Sequence, residues 1–289
     1  METSELLKRV RQIEIKTRGL SNNLFAGEYH TAFKGKGMTF SEVREYQYGD
    51  EIRAIDWNVT ARMNRPYVKV FEEERELTVM LLVDVSASRM FGSVTQMKRD
   101  MMAEIAATIA FSAIQNNDKI GVIFFSDRIE KFIPPKKGRK HILYIIRELL
   151  DFEPESKLTD IAQAVQFFNN AIKRRCTAFV ISDFLDYGNV SDAFKIANRR
   201  HDMVAIQVYD PRDVKLPDVG LLTLRDAETG KQMMVDTSSF SVRELFNHEW
   251  LEKQSVLQNT MKKAGVDMVS IFTDEDYVKA LMQLFNMRK

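Results

Sequence analysis

The sequence predicts an α/β fold: a doubly wound, mostly parallel sheet with one antiparallel edge strand. Two observations carry this expectation. From about Leu77 onward, short apolar runs alternate with segments of helical period, the order that builds parallel sheets flanked by helices. Four of the five main apolar runs end in Asp, which gathers acidic side chains at one edge of such a sheet.

The runs LTVMLLVD (77–84), KIGVIFFS (119–126), TAFVISD (177–183), DMVAIQVYD (202–210) and VDMVSIFTD (266–274) are almost continuously hydrophobic, as strands covered on both faces must be. Between them, residues 97–115, 139–150, 158–174, 191–199 and 241–264 show apolar spacing of three and four and read as crossover helices. RIEKFIP (128–134) follows the second strand after a brief turn, which predicts the antiparallel edge. GLLTLRDAETGKQMMVD (220–236) reads as an inserted β-hairpin turning at Glu-Thr-Gly-Lys, either a docking surface or a flap. Residues 1–76 behave differently. Glycines at 19, 27, 35, 37 and 49 break a polar and aromatic stretch with little helical period after the opening METSELLKRVRQIEIKT. The alternating YVKVF and the charged run after it lead straight into the first core strand. An N-terminal segment (1–76) packed on a sheet domain (77–289) is therefore expected.

Composition narrows the function. With 289 residues, 45% of them hydrophobic, the chain can bury a large core. Lys and Arg total 42 against 41 Asp and Glu, so no global field draws it to nucleic acid or to an anionic membrane. The single Cys176 excludes an internal disulfide and favours a reducing, cytoplasmic setting; the four histidines show no zinc spacing. No stretch approaches the roughly 20 apolar residues of a membrane span, so no integral membrane segment is expected.

The candidate chemistry starts at VDVSASRM (83–90), where a core strand ends in three oxygen-bearing side chains, Asp84, Ser86 and Ser88, at every second position. In a doubly wound sheet, residues just after strands 77–84 and 177–183 should meet where the strand order reverses, which brings in Asp183. Thr159 adds a hydroxyl at the start of the helix LTDIAQAV, where it is a candidate N-cap. One carboxylate and several hydroxyls are hard donors of the kind Mg²⁺ prefers. Each piece alone is ordinary turn chemistry; the ordered set is more specific.

That set, Asp84, Ser86, Ser88, Thr159 and Asp183, resembles the metal-ion-dependent adhesion site of von Willebrand factor A domains. The run from Gly27 to Arg62, GEYHTAFKGKGMTFSEVREYQYGDEIRAIDWNVTAR, resembles the signature of the MoxR-associated A-domain family of bacteria and archaea, also called the domain of unknown function 58 family. The resemblance implies a von Willebrand A-like (Rossmann-like) domain behind a family-specific segment. It implies Mg²⁺, or Mn²⁺ in its place, bound directly by the three hydroxyls and through waters by Asp84 and Asp183. It also implies a non-enzymatic adaptor whose metal takes a partner's carboxylate, with a MoxR-type AAA+ ATPase and an acidic client protein as partners. Many relatives place two membrane helices before the signature, and none is expected in this sequence. Arg89 departs from the pattern, since A-domains commonly place an uncharged residue there. Its cation bears on metal affinity, by competing with the ion or by meeting an acidic partner.

Two other readings stay open: a metal-dependent hydrolase using the Asp84/Asp183 cleft on phosphorylated small molecules, and a structural A domain with a vacant site. No Ser-His-Asp order and no histidine cluster near these loops suggests a catalyst. GKG (35–37) lacks the spacing of a phosphate loop, and KKGRK (136–140) and KRR (173–175) read as solvated helix ends. Arg44, Asp50, Arg53, Asp56, Trp57 and Arg62 form either an ion-paired plug or an interface.

Overall fold

The computed structural model describes residues 11–13, 38–73, 76–92, 96–185, 188 and 190–288. The Gly27–Gly37 part of the signature lies outside these residues, as does the expected opening helix except for a helical stretch at 11–13. The chain divides into two compact units, residues 34–77 and a larger unit that contains residues 78–289.

In the smaller unit, β1 (Met38–Glu45) pairs antiparallel with β2 (Tyr67–Glu73), with a register shift between Phe40 and Glu42. The connection carries α1 (Trp57–Met63), one helix more than the weak periodicity of this region suggested. Its start is set by Asp56, whose side chain accepts the amide protons of Asn58 and Val59 at 2.9 and 3.3 Å. Its end is set by Asn64 in the left-handed region, φ 52°. Arg44 forms a two-pronged pair with Asp50 at 2.7 and 2.8 Å, and Asp50 also accepts from the amide of Gln47, which closes the turn after β1. Trp57 is mostly exposed. Asp50 and Asp56 are thus engaged within this unit, while the Trp57 face points to solvent.

The larger unit is built on six strands: β3 (Thr78–Asp84), β4 (Lys119–Phe125), β5 (Ile129–Lys136), β6 (Thr177–Ser182), β7 (Asp202–Tyr209) and β10 (Asp267–Phe272). Their order is β10-β7-β6-β3-β4-β5, parallel throughout except for the antiparallel pair β4–β5. The antiparallel edge is where RIEKFIP placed it. Pro134 and Pro135 at its end lack amide donors, and an edge strand tolerates that. Gly121 makes the close approach of this edge feasible: a Cβ there would lie 2.8 Å from Ile133 O, Pro135 N and Met80 Sδ.

The crossovers are α2 (Lys98–Gln115), α3 (Arg139–Asp151), α4 (Ile161–Ala171), α5 (Ser191–Arg200) and α7 (Phe240–Ala264), with a short α6 (Pro211–Val214) after β7. A final helix, α8 (Tyr277–Met287), lies at the β10 edge and was not among the expected elements. On one face Met80, Leu82, Ile123, Phe125, Ala178 and Val180 meet Ile161, Val165, Phe168 and Phe194 of α4 and α5. α2 touches β3, β4, β6 and β7 and is buried almost all round, so its sequence is apolar on every side. The predicted hairpin forms β8 (Leu221–Arg225) and β9 (Gln232–Asp236), antiparallel to each other and paired to no other strand among the described residues.

Candidate metal centre

The chain leaves β3 in one direction to build β4 and β5, then returns to lay β6, β7 and β10 on the other side. The strand order therefore reverses between β3 and β6, and the crevice beyond their carboxyl ends is where a doubly wound sheet binds. Val83 pairs with Ile181, so Asp84 and Ser182 come side by side at that edge. Ser182 Oγ donates to Asp84 Oδ2 at 2.6 Å, and the amide of Ser86 donates to Asp84 Oδ1 at 2.9 Å. Asp84 thereby shapes the loop that follows it. A 3₁₀ turn at Ala87–Met90 brings Ser88 back toward Ser86, and the two hydroxyl oxygens lie 3.0 Å apart, both buried.

Three backbone bonds assemble the rest of this edge. Val85 N donates to Phe125 O at 2.8 Å, Ala87 N to Lys157 O at 3.2 Å, and Asp160 N to Ser126 O at 3.0 Å. They bring the approach to α4, and with it Thr159, to the same end of the sheet as the serines. Of the two candidate residues, the cap of α4 is Asp160 and not Thr159: the Asp160 side chain accepts from Gln163 N at 2.8 Å. A carboxylate one residue nearer the helix takes the orphan amide. The Thr159 hydroxyl is thus available elsewhere, and it donates to Glu228 Oε1 at 2.7 Å, at the tip of the β8–β9 hairpin.

Asp183 is buried just past β6. Its Oδ1 accepts from Leu185 N at 3.3 Å and its backbone carbonyl from Gln207 Nε2 at 3.1 Å. Phe184 next to it has φ 55°, a costly conformation for a bulky residue, held by its amide bond to Ser182 Oγ at 3.0 Å and by burial of its ring. The other carboxylate oxygen, Oδ2, faces a residue that motif reasoning missed: Lys98 Nζ, at 3.1 Å. Lys98 opens α2, is 1% exposed, and reaches Asp213 Oδ2 of α6 at 2.8 Å as well. Burial alone would lower the ammonium's pKa; Asp183 and Asp213 outweigh it, and the net shift is upward. The available signal was a charge on the otherwise apolar face that carries Met101, Met102 and Ile105.

Burial, and then the nearby charge of Asp183, push the Asp84 carboxyl up to about 7 against the opposing hydrogen bonds from Ser182 and Ser86. Arg89 is not extended toward solvent, where an acidic partner could meet it. It is 3% exposed, and its Nη2 donates to Phe152 O at 2.7 Å. Burial first, and the neighbouring Arg99 second, lower its pKa to about 10.

The residues fit a small hard cation. Oxygen ligands at Mg²⁺ distances in an octahedron stand about 3 Å apart along an edge, which is the spacing of the two serine hydroxyls. Behind them Lys98 offsets Asp183, and a cation beside Asp84 would favour the charged form that burial disfavours. No group of three or more His, Cys, Asp or Glu is arranged to hold a metal ion among the described residues, so an ion here would rest on hydroxyls. Asp84, Ser86 and Ser88 are joined directly and Asp183 acts on Asp84 through its charge; Thr159 shares the edge but spends its proton on Glu228.

One further titratable pair lies at the opposite edge, ahead of β6 and β7. Cys176 Sγ and His201 Nδ1 are 3.4 Å apart and buried. Burial pushes the thiol up to about 12 and the imidazole down to about 4, so both are neutral at pH 7 and neither is activated.

Six strands in this order, an antiparallel outer strand, and an Asp-x-Ser-x-Ser loop at the reversal define a von Willebrand A-like protein. More narrowly, residues 42–256 match the family described as "Protein of unknown function DUF58", and the chain belongs to it. The uncharacterized protein Rv1480 of Mycobacterium tuberculosis is 30% identical over 293 residues, spanning 100% of this chain and 92% of that protein. Among solved structures, the conserved hypothetical protein BatB from Bacteroides thetaiotaomicron matches with a TM-score of 0.51 at 17% identity, over 73% of this chain and 98% of that one. An aerotolerance-related membrane protein from Bacteroides fragilis matches with a TM-score of 0.50 at 16% identity, over 73% and 99%. These likenesses concern the fold. No helix among the described residues is long and apolar enough to cross a membrane.

Proposed function

We propose that this protein is a non-enzymatic adaptor that takes a partner's carboxylate at the Asp84 site through Mg²⁺, or Mn²⁺ in its place. The observation that carries the reading is the pair of buried hydroxyls, Ser86 and Ser88, 3.0 Å apart beside a desolvated Asp84 at the reversal of strand order. Ser86, Ser88 and Thr159 would hold the ion, with Asp84 and Asp183 behind them. When bound, the ion supplies an electrophilic position that an outside carboxylate can occupy.

The protein's own groups suit that task. Asp84 fixes the serine loop by accepting from Ser86 N and Ser182 Oγ. Lys98 offsets the charge of Asp183, and the hydroxyls bring no charge of their own. Little negative charge then faces an ion, which keeps it attractive to a partner's acid. The buried, neutral Cys176–His201 pair lies at the opposite edge and is not poised as a nucleophile.

The resemblance of the Gly27–Arg62 run supports a MoxR-type AAA+ ATPase as working partner and an acidic client protein as target. The single, buried Cys176 suits a cytoplasmic setting. Immobilised protein should retain such an ATPase or its client in Mg²⁺, release it with chelator, and fail to retain it as Asp84→Ala. Retention indifferent to both chelator and substitution would contradict the proposal.

A further inference from the structure

The hairpin supplies from within the chain the group that the site would accept from outside. Thr159 Oγ1 donates to Glu228 Oε1 at 2.7 Å, joining residues 69 apart in sequence. Glu228 sits at the apex of a turn built to present it. Asp226 accepts the amide protons of Glu228 and Thr229 at 2.9 and 2.7 Å, Gly230 N returns to Asp226 O at 3.0 Å, and Gly230 takes a positive φ of 71°.

The rest of the hairpin is suited to movement. β8 and β9 pair only with each other among the described strands, and a two-stranded ribbon is marginal by itself. Leu221, Met233 and Met234 are exposed, so little apolar burial holds the ribbon down. Its root is firm: Thr237 N donates to Gly220 O at 2.8 Å, Val219 N to Thr237 Oγ1 at 3.2 Å, and Arg243 Nη1 to Thr237 O at 2.5 Å. A firm root, a weakly held ribbon and a carboxylate tip on a site hydroxyl make a latch.

We infer that Glu228 is an internal stand-in for the partner's carboxylate, so that the β8–β9 hairpin closes the site until an acidic partner segment displaces its tip. This rests on the adhesion-type reading above for what the partner offers. The partner it fits presents a glutamate at the apex of a polar turn, as Asp226–Gly230 does.

The test uses the full chain and Glu228→Ala, a substitution in an exposed turn. Hydrogen exchange of residues 221–236 should be faster in the variant by roughly tenfold, the loss expected for one charge-assisted hydrogen bond. A synthetic peptide spanning Arg225–Lys231, added with Mg²⁺, should bind the variant roughly tenfold more tightly than the wild type, where it must displace the tip. Hairpin exchange unchanged by the substitution, or peptide binding equal or absent in both forms, overturns the latch. Mg²⁺ titration of both forms separates the two ideas. Metal that binds neither form overturns the adhesion reading, whereas metal that binds both with an unaltered hairpin overturns the latch alone.

Discussion

Lys98 Nζ stands 3.1 Å from Asp183 Oδ2, and both side chains are buried to within 2% of full enclosure. A lysine from the first turn of α2 therefore holds a fixed positive charge next to a carboxylate of the site, with Asp213 as its second partner. Lys98→Met removes that charge and leaves the buried Asp183 and the partly buried Asp213 without it. The variant should lose on the order of 3 kcal/mol in urea unfolding with chelator present. Added Mg²⁺ should recover part of the loss, because an ion at the proposed site brings positive charge back near Asp183.

Substitution can separate the structural role of Asp84 from its proposed role in ion binding. Asp84→Asn keeps a carbonyl oxygen for Ser86 N and removes a charge that burial disfavours, so metal-free stability should stay within about 1 kcal/mol of wild type. Asp84→Ala leaves Ser86 N and Ser182 Oγ without their acceptor and should cost about 2–4 kcal/mol. Both should abolish divalent-ion binding. Chemical denaturation and calorimetry on the two variants give the four numbers needed.

His201 makes stability fall in mild acid. Its folded pKa, about 4, is below the ordinary 6.5 because burial disfavours the charged ring and Arg200 adds to this. A depressed histidine contributes stability that is whole above 6.5 and is lost as pH falls toward 4, at most about 3 kcal/mol for this shift. Unfolding free energies at pH 7 and pH 4 should therefore differ less in His201→Phe than in wild type, by up to that amount.

Asp56 anchors the helix inside the family signature. Asp56→Ala removes the acceptor for the amides of Asn58 and Val59 and a 3.5 Å pair with Lys69. The expected cost to the small unit is about 1 kcal/mol, seen as faster exchange of amides in Trp57–Met63 with no change in β3–β7.

The large unit was legible because strands covered on both faces cannot hide their apolar character, as TAFVIS (177–182), buried at every position, shows. Asp84, Ser86 and Ser88 were legible because a polar residue at every second position is out of place after such a strand. Thr159 does lie at the helix approach, but of its two possible roles, site hydroxyl or cap, the cap falls to Asp160, since two capping residues stand side by side and only geometry chooses between them. Glu228 carries no signal in sequence: its turn reads as a turn, and its meeting with Thr159 depends on how the hairpin folds back. Arg89 looked like a cation offered to the site, whereas burial turned it to the carbonyl of Phe152. In the smaller unit, β2 falls on the alternating YVKVF, whereas β1 breaks its alternation at the register shift between Phe40 and Glu42 and α1 is too short for periodicity to declare it.

The most direct test of the central claim is calorimetric titration of Mn²⁺ and Mg²⁺ into the wild-type protein and into the Ser86→Ala, Ser88→Ala double variant, with unfolding curves confirming that both are folded. One saturable ion per wild-type chain is predicted, weakened at least roughly tenfold when both hydroxyls are removed. A wild-type chain that takes up no ion, or a double variant that binds as well as the wild type, would contradict it.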